Sequence, residues 1–230
     1  LATRYRVISV DLPGFGKTPV GSKAQSLEDF ARQLKATLEA LEAPEPVLIG
    51  HSLGGYVALA YAQLFPGHLS GLGLFHSTSF ADSEEKKHKR NQAISIVKQH
   101  GSARYVESLF PGLFTQKSRD TMQQQIQYFI KEASETSSQA IMQTLAAMRD
   151  RPDRRDLLPR LKVPVMFIAG KGDTLLPVEQ VLQECHLPKD AHVYFLEDVG
   201  HIGMIEAKVR TLRMVKHFVS YCYHMEEESR

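Results

Sequence analysis

The chain has 230 residues, 43% hydrophobic and 23% charged, enough for one large globular domain or a domain carrying an insertion. Its 28 basic and 26 acidic residues leave a net charge of +2, which excludes the strongly one-signed surface of a nucleic-acid or anionic-membrane binder. No apolar run approaches the roughly 18 residues of a membrane span, and Cys185 and Cys222 have neither metal-ligand nor disulfide-framework spacing, which points to a reducing, cytoplasmic setting.

The chain starts without a methionine, and residues 5–10 (YRVISV) form a β-branched run, so a strand is expected there, in a fragment truncated at its N-terminus. The run ends in the stretch DLPGFGKT, residues 11–18. Its Gly-Lys-Thr end and its Asp-x-x-Gly start resemble parts of a GTPase, and Lys171-Gly-Asp173 resembles the tail of a guanine-reading motif. A phosphate-binding loop needs a glycine five positions before Gly16-Lys17, however, and that position is Asp11.

Residues 26–42 begin with Ser26 and carry Asp29 three positions on, a capping-box start, after which Leu27, Phe30, Leu34, Leu38 and Leu41 recur at helical spacing. Residues 46–50 (PVLIG) read as a short strand. Residues 53–65 are apolar almost all round, so a buried helix is expected, stopped by Pro66-Gly67; residues 69–75 read as a further strand. This alternation predicts an α/β fold, a mostly parallel sheet flanked by helices.

Residues 82–150 contain no convincing strand. Helices are expected near 82–99, 102–109, 118–133 and 136–149, with breaks at Gly101, Pro111-Gly112 and Thr136. The run EEKKHKR at 84–90 reads as a solvated helix face, and Tyr105, Phe110, Phe114, Tyr128, Phe129 and Met142 as core of the helical region. The α/β pattern returns with a strand at 163–169, a helix at 177–184, a strand at 191–196 and a helix at 204–222. The expected division is therefore a core in two parts, 1–80 and 156–230, around an all-helical lid at 81–155, placed over the carboxyl ends of the strands, where open α/β sheets bind ligands.

Residues 50–55 read GHSLGG, and Gly50-x-Ser52-x-Gly54 matches the nucleophile elbow, in which a serine sits on a tight strand-to-helix turn. Residues two before and two after the serine approach one another, so both are expected to be small. A helix beginning at Leu53 aims the Leu53 N–H at a developing oxyanion. A serine hydroxyl needs a base, and the base an orienting acid. Strand 163–169 is followed by Asp173 and strand 191–196 by His201, which gives the chain order Ser, Asp, His of a hydrolase triad.

DLPGFGKT, GHSLGG, the strand followed by GKGDTLLP, and VGHIGMIE before a terminal helix together resemble the α/β-hydrolase superfamily over essentially the whole chain, in particular small lid-bearing serine esterases and enol-lactonases. The resemblance implies Ser52 as nucleophile, His201 as general base then acid, and Asp173 as its orienter. It makes Asp11, Gly14 and Gly16 turn residues beside the active-site mouth. It also implies a second oxyanion donor on a His-Gly-type segment upstream of Leu1, absent from this chain.

The expected function is hydrolysis of a carboxylic ester, lactone or related acyl substrate through an acyl-enzyme on Ser52, with a small-molecule substrate, no cofactor, no metal and no nucleic-acid partner. The alternatives are a carbon–carbon bond hydrolase or cofactor-free haloperoxidase with the same triad, a non-catalytic interaction protein, or an inactive fragment. His76 and His51 are candidate substrate-lining residues. Asp82 reads as a cap of the first lid helix in preference to an alternative triad acid, and Asp198 as a loop carboxylate too near His201 in sequence to orient it.

Overall fold

A computed structural model describes residues 1–22 and 25–228, with side chains described as far as residue 224. Helix α1 (Leu27–Ala40) starts with the expected capping box: Ser26 Oγ accepts from Asp29 N at 3.2 Å, and Asp29 Oδ2 accepts from Ser26 N at 2.9 Å. Strand β1 (Val47–His51) leads directly into α2 (Leu53–Leu64), and β2 (Gly71–Phe75) follows. The helical stretch comprises α3 (Glu84–Leu109), a 3₁₀ turn at Phe110–Leu113, α4 (Gln116–Thr121), α5 (Gln123–Ser134) and α6 (Ser138–Arg149). Strand β3 (Val165–Gly170), α7 (Val178–Leu182), β4 (Ala191–Leu196), α8 (Gly203–Glu206) and α9 (Lys208–Glu228) complete the chain.

The four strands pair in the order β1-β2-β3-β4, all parallel. The two central strands are buried at every position, as a parallel sheet covered on both faces requires. Side chains alternate between the faces. Leu72, Leu74, Val165, Phe167 and Ala169 join α1 and α2 in one core, whereas Phe75, Met166, Ile168 and Leu196 meet Val215, Phe218 and Cys222 of α9 in a second. Helix α2 lies inside the first core and buries Val57, Ala58, Leu59, Ala60, Tyr61 and Ala62, consistent with its apolar circumference.

The helices between β2 and β3 have a third core of their own, built on Val97, Val106, Leu113, Phe114, Ile126, Ile130, Ile141 and Leu145. Gly101 takes φ 83° and ψ 172° and kinks α3 at the expected break. Tyr128 departs from the expected core set, with 57% of its surface exposed. Among the described residues, no helix is long and apolar enough to cross a membrane.

Two expectations require correction. Residues 5–10 form no strand: β1, at the sheet edge, pairs only with β2. Ile8 and Val10 nevertheless pack against the first core while Val7 is 55% exposed. The period of two survives as side-chain docking, without the ladder that defines a strand. The C-terminal helix is also divided, because Ala207 (φ −133°, ψ 39°) separates α8 from α9.

Candidate active site

Parallel pairing places the carboxyl end of every strand on one edge of the sheet, with His51 opposite Phe75 and Gly170 opposite Leu196. Ser52 follows β1 immediately, His76 follows β2, Asp173 lies just beyond β3 and His201 just beyond β4. Four chemically capable side chains separated widely in sequence thus emerge at one edge.

Ser52 has φ 49° and ψ −113°, a conformation that non-glycine residues rarely adopt and that costs on the order of 1–3 kcal/mol. Its N–H donates to Phe75 O at 3.0 Å, and its carbonyl accepts from Ser77 Oγ at 2.8 Å, which hold the turn from both sides. The steric expectation for the turn is half corrected. A Cβ on Gly50 would stand 2.1 Å from the Gly54 backbone, but one on Gly54 would meet nothing within 4 Å. The second tight position is Gly55, whose Cβ would lie 2.2 Å from Ser77 Oγ. Leu53 is the first residue of α2, where N–H groups have no acceptor within the helix.

Asp173 is buried, and its carboxylate accepts four hydrogen bonds. Oδ2 takes His201 Nδ1 at 2.7 Å and His76 Nδ1 at 3.2 Å; Oδ1 takes Leu175 N at 2.9 Å and Leu176 N at 3.0 Å. Burial pushes this carboxyl up, but the His201 and His76 hydrogen bonds, the His201 charge and the Leu176 N–H together outweigh it and hold the group below the ordinary carboxylate range. An ionised carboxylate only accepts, so both histidines carry their proton on Nδ1 and the His201 Nε2 lone pair is free to act as a base. No hydrogen bond joins Ser52 Oγ to His201 among the described residues; in unliganded sites such contacts often tighten only with substrate in place.

Two further residues hold His201: His51, which the sequence offered only as a substrate-lining candidate, and Glu206, which it did not single out. His51 Nε2 donates to His201 O at 2.8 Å, with the two rings 5.0 Å apart. Burial, then the His201 charge, lowers the His51 ring to about 3, so it is neutral and braces the backbone of the base. Glu206 accepts from Gly200 N at 2.7 Å through one oxygen, and from Thr115 N at 2.9 Å and Thr115 Oγ1 at 3.0 Å through the other. His201 N donates to Leu113 O at 2.8 Å. The loop carrying His201 is thus fastened to the helical stretch. Only the tertiary fold brings these groups together.

His76 is 1% exposed, with its ring against Asp173. The ligating atoms of His76, Asp173 and His201 lie within 4.8 Å of one another, a spacing a cation could use, but both ring N–H groups already point at one carboxylate oxygen. Asp82 caps no helix: the cap of α3 is Ser83, and Asp82 pairs with Arg151 at 2.8 Å and Arg90 at 3.1 Å, whereas His201 pairs with Asp173. Asp198 is exposed, with a positive φ of 50°. DLPGFGKT closes as a turn, in which Lys17 N donates to Asp11 Oδ2 at 3.0 Å and Gly14 and Gly16 take φ 88° and 54°.

A serine on a strained strand-to-helix turn, sharing a sheet edge with a hydrogen-bonded His–Asp pair, is the arrangement of the α/β-hydrolase fold. Residues 1–212 match the Alpha/beta hydrolase family, and the chain belongs to it. The chain is 28% identical over 228 residues to a pimeloyl-[acyl-carrier protein] methyl ester esterase of Aeromonas hydrophila, covering 95% of this chain and 87% of the relative. It is 26% identical over 235 residues to a 2-hydroxy-6-oxononadienedioate/2-hydroxy-6-oxononatrienedioate hydrolase of Paraburkholderia phymatum, covering 94% and 76%. A dihydrolipoyllysine-residue acetyltransferase component of Pseudomonas putida is 25% identical over 210 residues, and the chain spans only 54% of its length. A solved thermophilic esterase from Thermogutta terrifontis superposes with a TM-score of 0.87 at 26% identity, covering 92% of this chain and 78% of that one.

Proposed function

We propose that the protein is a serine hydrolase of carboxylic esters, lactones or related small acyl substrates. The observation that carries this reading is the 2.7 Å hydrogen bond from His201 to a buried, ionised Asp173, at the sheet edge where Ser52 is held in its strained turn. Ser52 Oγ attacks the substrate carbonyl while its proton passes to His201 Nε2, and Asp173 steadies the imidazolium through Nδ1. The Leu53 N–H donates to the oxyanion. The C–O bond breaks, and the leaving alkoxide takes the proton from His201. Water, deprotonated by the same nitrogen, then attacks the acyl-serine; the acyl–Oγ bond breaks, His201 returns the proton to Ser52 Oγ, and the acid is released. Helices α3–α6 act as the lid that shapes the acyl pocket, and a cytoplasmic location suits the absence of a disulfide between Cys185 and Cys222.

A second reading, carbon–carbon bond hydrolysis with the same residues, draws on the Paraburkholderia relative, which its name describes as a hydrolase of 2-hydroxy-6-oxo dienedioates. Labelling with a fluorophosphonate tests the machinery common to both. The label is expected on Ser52, lost in Ser52→Ala and slowed in His201→Ala, by mass spectrometry of the intact and digested protein. An unlabelled Ser52 in the folded protein would overturn the assignment. A screen of esters, lactones and vinylogous diketones then separates the two readings.

A further inference from the structure

His76 adds a second imidazole to Asp173. Its backbone takes φ 45°, a region costly for a residue with a Cβ, and is held there by an N–H bond to Ile168 O at 2.8 Å and by stacking of the ring on Phe75 at 5.2 Å. The side chain is fully buried. Because Nδ1 donates to Asp173, Nε2 carries a bare lone pair, and that nitrogen is buried without a hydrogen-bond partner. It abuts the backbone of α8, where a Cβ on Gly203 would stand 2.4 Å from it. Through Nε2 the ring therefore faces the backbone of α8. Its one polar contact is Asp173 Oδ2, the same oxygen that accepts from His201.

We propose, building on the hydrolase reading above, that His76 is a positioning residue: its N–H fixes the Asp173 carboxylate and shares the oxygen that holds His201, so that the base works at lower pH than an unshared Asp–His pair would allow. A carboxylate oxygen that divides its negative charge between two donors stabilises the imidazolium of either one less. Burial holds His76 itself below the ordinary histidine range, against the opposing pull of Asp173, so it stays a neutral donor. The titratable and charged groups that act on this pair are His201, His51 of β1, Glu206 of α8 and Lys86 of α3.

The test compares wild type, His76→Asn and His76→Leu. The asparagine puts an amide N–H at the δ position and tolerates a positive φ; the leucine removes the donor. The acid limb of Ser52 reaction with the probe, followed against pH, is expected to move up by roughly 0.5–1 pH unit in His76→Leu and to stay in place in His76→Asn. Equal shifts in both variants, or none in either, would overturn the proposal. Two NMR readouts need no activity. The downfield Nδ1–H proton of His201 is expected to move in His76→Leu and not in His76→Asn. In unmutated protein, ¹⁵N shifts are expected to show His76 protonated on Nδ1 alone between pH 6 and 8, which decides the matter if the leucine variant does not fold. An Nε2–H tautomer or an imidazolium there would refute it. Failure of the hydrolase reading is recognised separately, by absence of label on Ser52.

Discussion

Acidification isolates the contribution of His51. In an unfolded chain this ring protonates near the ordinary histidine value of 6.5, whereas in the fold burial first, and then the neighbouring His201, lower it to about 3. Between those values the unfolded state binds more protons than the native state, so stability falls as pH falls through that window. At about 1.4 kcal/mol for each pKa unit, His51 alone removes at most about 2 kcal/mol between pH 7 and pH 5, and at most about 3 kcal/mol by pH 4. These are upper figures because the ring is only half-buried and water reaches part of it. His51→Gln keeps an ε-nitrogen donor within reach of the His201 carbonyl but cannot titrate. Urea unfolding of both proteins at pH 7 and pH 5, followed by far-UV circular dichroism, gives the difference directly. His76 and His192, which burial also lowers, titrate in both chains and cancel. A wild-type loss exceeding that of the variant by up to about 2 kcal/mol is expected; equal losses would refute a neutral, bracing His51.

The elbow glycines are predicted to respond unequally. Gly50→Ala drives a Cβ into the Gly54 backbone and should cost about 1–3 kcal/mol and abolish labelling of Ser52. Gly54→Ala meets open space at the start of α2 and should be neutral or raise stability by up to about 1 kcal/mol in the same unfolding assay. Glu206→Ala frees Gly200 N and both Thr115 donors; a loss of about 2–4 kcal/mol and slower Ser52 labelling are expected, since the His201 loop loses its anchor. Asp82→Ala leaves Arg151 buried without its partner and should cost about 3–5 kcal/mol in chemical denaturation. Protein that remains folded should label at the wild-type rate, whereas a triad acid would abolish labelling.

Local rules made much of the fold legible. The Ser26/Asp29 box, the Gly101 break and the strand at 191–196 each depend on neighbours a few residues away, and each stands where the sequence placed it. The strand expected at 5–10 failed because propensity describes a chain's readiness to pair, and pairing is decided by what lies alongside. The same division holds at the site. GHSLGG announces the Ser52 turn through its own spacing, and strand ends locate Asp173 and His201. The contacts that hold them, from His51 to the His201 carbonyl, from His76 to Asp173 and from Glu206 to Thr115, join segments that come together only in the folded chain. No periodicity encodes them. Gly54 shows the converse: a motif letter whose stated steric reason belongs to Gly50 and Gly55.

The tie between residues 113–115 and the loop at 200–206 constrains how the protein can diversify. Leu113 supplies the acceptor for the His201 backbone, and Thr115 meets Glu206, so one short joint of the helical insertion forms part of the mounting of His201. Chimaeras that exchange the insertion for a relative's must transplant this joint and the His201 loop as a unit, or the histidine loses its seat. A helical segment that looks interchangeable in outline is thus keyed to its scaffold at one point.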